Sequence, residues 1–102
     1  PFDLLVRDLD LVLDAADRSG AALLLLDYPN PSEDHAFLAA IIADYAASRA
    51  VDYLPLRDAF ADRLEPEAWR DHLGPNGHCN AAGYALMAEL VAEHLARRGT
   101  LR

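Results

Sequence analysis

The run from Ala21 to Leu26 (AALLLL) is apolar at every position and is closed by Asp27, Tyr28, Pro29 and Asn30. Short continuous runs of this kind read as strands buried on both faces, and parallel sheets covered by helices produce them. A second run, Val51 to Leu56 (VDYLPL), has the β-branched, aromatic and aliphatic content of a strand. Pro55 has no N–H to give to a ladder, so it marks that strand's end or a sheet edge.

Around these runs the spacing becomes helical. Phe2, Leu5, Val6, Leu9, Val12, Leu13 and Ala16 recur at three-four intervals, with Asp3, Asp8, Asp10, Asp14 and Asp17 mostly on the other face. Gly20 ends that helix. Ser32 is an N-cap, followed by Glu33 and Asp34 in the first turn, and opens a second helix with the apolar face Phe37, Leu38, Ile41, Ile42 and Tyr45, ending near Ala50. Asp58 to Leu73 reads as irregular or short helical structure broken at Glu65 and Pro66. A final helix runs from about Ala81 to Arg98, burying Tyr84, Met87, Leu90, Val91 and Leu95, with Arg97, Arg98 and Gly99 as stop signals.

The alternating order of helices and strands belongs to the α/β class, a parallel sheet flanked by helices. Two strands fall short of the roughly five or six in an ordinary sheet. The 102 residues are therefore expected to form one small domain or part of a larger one, with the sheet completed by upstream sequence or by a second chain. A hydrophobic fraction of 53% with 25% charged residues is globular. Acidic residues number 17 against 9 basic ones, a net charge of −8 that repels nucleic acid. The longest apolar run, Ala36 to Ala43, is far below the roughly 18 residues of a membrane span. Cys79 is the single cysteine and forms no internal disulfide, and composition leaves the compartment open.

Ligand sites of open α/β sheets lie beyond the carboxyl ends of the strands, which makes Asp27 to Asp34, Arg57 to Asp62 and the loop around His78 the candidates. His78 sits in a Gly/Pro/Asn-rich loop directly before the last helix, where an imidazole can exchange protons near neutral pH. His35 and His94 fall on helices, and Trp69 either lines the cleft or packs beneath it.

The stretch GPNGHCNAAGYALMAELVAEHL resembles the last motif block of the SGNH, or GDSL-type, hydrolases, in which a catalytic His is followed by Asn or Thr and then by a Gly inside the next helix. The strand AALLLLDYP, a helix and the strand VDYLPLRDAF fit the preceding pieces, so the resemblance spans essentially the whole chain as that fold's C-terminal half. It implies a three-layer, flavodoxin-like sandwich. It also implies a serine esterase, lipase or deacetylase that works through an acyl-enzyme on a small ester or O-acylated substrate, without a cofactor. His78 would be the general base, Asn80 would cap the final helix, and Gly83 would let that helix pack close to the loop.

Two departures from the family pattern matter. The family has an Asp two or three residues before its His, where this chain has Pro75 and Asn76. An Asn orients a histidine but does not stabilise the imidazolium as a carboxylate does. Asp71, seven residues upstream, is the other candidate for the orienting position. The family's serine follows its first strand, upstream of anything matched here. Ser19 at a helix end, Ser32 at a cap and Ser48 on a helix lack the exposed strand-to-helix setting of a nucleophile. The chain alone is therefore expected to be inactive. Three other readings compete. LLLLDYP is similar to the phosphoacceptor strand of a receiver domain, with Asp27 as acceptor, but the chain contains no lysine to complete that site. Asp71, His72, His78 and Cys79 cluster in sequence without a recognised zinc spacing, so no metal is assigned. The third is a non-catalytic relative that kept the fold and only binds.

Overall fold

The computed structural model describes residues 2–99. Helix α1 (Phe2–Ser19) leads into β1 (Leu24–Leu26), α2 (Glu33–Arg49), β2 (Asp52–Leu54), α3 (Leu56–Arg63), α4 (Pro66–Asp71) and α5 (Ala81–Arg97). The strands pair in parallel, Leu24 with Asp52, Leu25 with Tyr53 and Leu26 with Leu54. The fold is α/β and mostly helical, built on a small two-stranded parallel sheet.

Alternation along β1 sorts the core into two clusters. Leu25 packs with Tyr45 and Ala46 of α2 and with Val6 and Leu9 of α1. Leu24 and Leu26 join Leu54, Leu56, Phe60 and Leu90, the cluster of α3 and α5. Phe60 and Leu56 are fully buried. Trp69 packs against this second cluster and donates its indole N–H to the Pro29 carbonyl at 2.9 Å, so it lies beneath the loop that follows β1.

Both strands are shorter than the apolar runs that encode them. Gly20, at φ 73°, closes α1 with paired bonds, Gly20 N–H to the Asp17 carbonyl at 3.3 Å and Ala21 N–H to the Ala16 carbonyl at 2.9 Å. This turn takes up Ala21 and leaves it exposed. At the second run Pro55 ends the strand and opens a helix, so Leu56, expected in the strand, is the first residue of α3. The expected break at Glu65 and Pro66 separates α3 from α4, with Pro66 in the first turn where its missing N–H costs nothing. The end of α2 repeats the turn that closes α1, with Ala50 in the left-handed region at φ 54° and Val51 N–H bonded to the Ala46 carbonyl at 2.9 Å.

The expected apolar faces are only partly covered. Tyr45 and Leu90 are buried as anticipated, and Met87 and Val91 pack against the second cluster. Val12, Phe37, Leu38 and Tyr84, all expected inside, are exposed, as is Leu4. The side chain of Phe2 lies outside the described residues. The cause is a mismatch of size: helices of 17 and 18 residues are about 26 Å long, whereas each strand has three residues. At the amino ends of the strands His94 Nε2 lies 3.0 Å from both carboxylate oxygens of Asp52, which fastens the end of α5 to β2.

Candidate functional site

His78 stands on a tight hairpin between α4 and α5. Leu73 and Cys79 form an antiparallel bridge, and Gly74 N–H donates to the His78 carbonyl at 2.7 Å. Gly77 N–H closes the turn onto the Gly74 carbonyl at 3.1 Å, with Gly77 at φ 82°, a conformation that favours glycine. Asn76 Oδ1 accepts the His78 N–H at 3.2 Å, a local turn in which the amide grips the backbone. The imidazole itself is exposed, at the end of the hairpin.

Below the hairpin, Asn80 serves two elements. Its Oδ1 accepts the Gly83 N–H at 3.0 Å and so caps α5, while its Nδ2 donates to the Asp71 carbonyl at 2.7 Å and holds the end of α4. Gly83 is buried where α5 crosses the hairpin. A Cβ there would lie 2.3 Å from the His72 carbonyl oxygen and 2.8 Å from Cys79 Cβ, so only glycine allows this approach. Asn80 is thus the N-cap of α5 and Gly83 its point of closest approach to the hairpin.

The loop that follows β1 lies against the hairpin. Asn30 donates from Nδ2 to the Gly77 carbonyl at 2.9 Å, and its Oδ1 accepts the Ser32 N–H at 2.9 Å. Tyr28 accepts the Cys79 N–H on its hydroxyl at 2.7 Å, and its ring stands edge-on to His78 with centroids 6.1 Å apart and planes at 84°. Burial, then the hydrogen bond with Tyr84, pushes the Tyr28 phenol up to about 12, so it is protonated at neutral pH. Ser32 caps α2 as expected, accepting the His35 N–H at 3.3 Å, and its hydroxyl also lies 2.8 Å from His35 Nδ1.

Asp27 directly follows β1 and is buried, at 5% exposure. One carboxylate oxygen accepts the Arg57 N–H at 2.8 Å, and the other accepts the Tyr53 hydroxyl. Burial, followed by this bond to Asp27, raises the Tyr53 phenol well above the ordinary tyrosine value. Arg57 reaches back to the carbonyls of Asn30 at 2.8 Å and Pro31 at 3.3 Å. Asp27 thus joins the carboxyl ends of β1 and β2, and two of the loops selected from the sequence meet there.

Of the candidate residues, the structure brings His78, Asn76, Asn80 and Gly83 into one hairpin-helix unit. Asn76 is attached to the His78 backbone rather than to its ring. Asp71 enters through its carbonyl, and its exposed side chain forms no hydrogen bond to the imidazole among the described residues. His72 turns away and pairs its Nδ1 with the Ala68 carbonyl at 2.7 Å. Among the described residues, no group of three His, Cys, Asp or Glu side chains is placed to hold a metal ion, and no helix is long and apolar enough to cross a membrane. Sequence reading missed Tyr28 and Asn30 as partners of the hairpin. The available signal was their position, an aromatic and an amide side chain directly after a buried strand.

An exposed imidazole held by its backbone at the carboxyl side of a parallel sheet can accept a proton from a hydroxyl and return it to a leaving group. Comparison with protein-family models, with curated proteins and with solved structures found no match to this chain.

Proposed function

We infer that this chain forms the C-terminal part of an SGNH-type serine ester hydrolase and that His78 is its general base. The observation that carries the reading is the exposed His78 ring, set on a hairpin tied to the loop after β1 and followed by the Asn80 cap and the close approach at Gly83. In this mechanism His78 takes the proton of a serine hydroxyl as the oxygen attacks the ester carbonyl. It then protonates the departing alcohol, leaving an acyl-enzyme that water cleaves by the reverse use of the same imidazole. The chemistry needs no cofactor. The substrate class is a small ester or an O-acylated molecule.

The serine comes from outside this chain, because Ser32 caps α2 and Ser19 and Ser48 hydrogen-bond the Ala16 and Tyr45 carbonyls of their own helices. The same reading has the sheet continue past β1 as a three-layer sandwich. Support comes from a cleft of about 270 Å³ beside that strand, lined by Leu26 and Tyr28 on the strand side, Leu38 and Ile42 of α2 and Met87 of α5. It is flanked by both helical layers, as a strand buried on two faces would require.

Restoration tests the assignment. A polypeptide that supplies a serine-bearing strand, fused upstream or added as a second chain, is expected to hydrolyse an aryl acetate in a manner abolished by His78→Ala. Asn76→Asp should maintain or raise the rate. Turnover indifferent to His78→Ala overturns the reading. Inertness of both His78 and Asn76→Asp proteins favours the non-catalytic binding relative. The phosphoacceptor reading gains no support, since both oxygens of Asp27 are already engaged beneath the surface.

A further inference from the structure

Among the described residues, the Tyr28 phenol is the group that joins the loop after β1 to both the hairpin and α5. Its oxygen accepts the N–H of Cys79, a residue only 7% exposed and 51 positions away in the chain, at 2.7 Å. Without that oxygen the amide would be a buried donor with no partner, an arrangement that proteins avoid. Because the oxygen acts as acceptor, the phenolic proton remains available, and the Tyr84 hydroxyl of α5 lies 3.5 Å away. The Tyr28 ring is itself flanked, by His78 at 6.1 Å on the hairpin side and by His35 of α2 at 5.8 Å.

The His78 ring has no hydrogen-bonding side chain to aim it among the described residues, since Asn76 is spent on the backbone and Asp71 bonds through its carbonyl. What limits its orientation is the backbone on either side and the edge-to-face contact with Tyr28. Aromatic pairs prefer this T-shaped geometry, which favours one set of ring positions over free rotation. We propose that Tyr28 is the positioning residue for His78: its hydroxyl fixes the peptide that follows the histidine, and its ring sets the direction of the imidazole. In the family pattern a carboxylate orients the histidine, whereas here a tyrosine from the first strand's loop performs the aiming. The Cys79 N–H by itself would favour an ionised oxygen, and burial with the bond to Tyr84 outweighs it, so the phenol stays neutral at neutral pH. The inference rests on the general-base reading only for its catalytic consequence; the positioning itself is a property of the 102 residues.

Two readouts separate the parts. In the 102-residue protein, Tyr28→Phe should keep the ring-current displacement of the His78 ring protons in the NMR spectrum while exposing the Cys79 amide to solvent exchange about tenfold faster. Tyr28→Leu should abolish both signatures, and Tyr84→Phe should leave both in place. If Tyr28→Leu does not fold, Tyr28→Phe and Tyr84→Phe decide the matter alone. In the restored polypeptide, Tyr28→Phe should lower kcat about tenfold with KM unchanged, an outcome that a purely structural role would not produce. His78 resonances and Cys79 exchange that ignore Tyr28 overturn the proposal even if His78-dependent turnover is found. Signatures that change as stated, in a polypeptide showing no His78-dependent turnover, sink the hydrolase reading and leave the positioning intact.

Discussion

Gly83→Ala puts the hairpin-helix contact to a direct test because two effects of opposite sign compete. In an unhindered helix the change would stabilise by about 1 kcal/mol, from the better helix propensity of alanine. Here the new Cβ would meet the His72 carbonyl oxygen at 2.3 Å, where ordinary contact begins at 3.4 Å, so α5 and the hairpin must separate by 3.4 − 2.3 = 1.1 Å. The obstacle is backbone, which cannot swing aside as a side chain would. Two bonds hold the surfaces together, Asn80 N–H to the His72 carbonyl at 3.1 Å and Asn80 Nδ2 to the Asp71 carbonyl at 2.7 Å. A shift of that size takes the first of them beyond hydrogen-bonding range. Overpacking costs about 1–3 kcal/mol and a lost hydrogen bond about 1 kcal/mol, so after the propensity gain the net loss is about 2 kcal/mol. For a domain of this size that lowers Tm by about 10 °C. Urea unfolding followed by Trp69 fluorescence measures it, with Ala85→Gly on the exposed face of the same helix as a control expected to cost about 1 kcal/mol. A neutral or stabilising Gly83→Ala beside a destabilising Ala85→Gly would refute the close approach.

Further outcomes follow from other contacts. Asn80→Ala removes both the cap of α5 and the link to α4 and should cost about 2 kcal/mol in the same unfolding assay, with Asn80→Asp recovering the cap and not the link. Ala50→Gly relieves a left-handed alanine at φ 54° and should stabilise by about 0.5–1 kcal/mol, the reverse of the usual effect of introducing glycine beside a helix. The phenols of Tyr28, Tyr45 and Tyr53 are all raised in the folded protein, with burial as the leading cause. The unfolded chain therefore loses these protons first as pH rises. Their contribution is complete below the ordinary tyrosine value near pH 10 and declines above it towards the folded values, so unfolding midpoints should fall above about pH 10, and Tyr53→Phe should reduce the slope.

Helical spacing, the apolar strands and the caps at Ser32 and Asn80 were all readable from the chain, because each depends on residues within about four positions of one another. The same locality exposed the turn at Gly20 and the stop at Pro55. The fate of Leu56 escaped, since an apolar residue after a strand looks alike whether it extends the strand or opens a helix into the same core. Ala50 escaped because nothing in its side chain advertises a left-handed backbone; it belongs to the turn closed by the Val51 N–H on the Ala46 carbonyl. Exposure of Phe37, Leu38 and Tyr84 depends on how wide the sheet is, a property of strand pairing and not of any one helix. His78 was visible as a histidine in a loop, and its neighbours Asn80 and Gly83 were visible with it. The partnership of Tyr28 with Cys79 across 51 residues was not, nor was the turning of Asn76 onto the backbone. Such contacts exist only after the parallel crossover brings the loop after β1 against the hairpin, and no short-range preference in the chain encodes which side chains meet there.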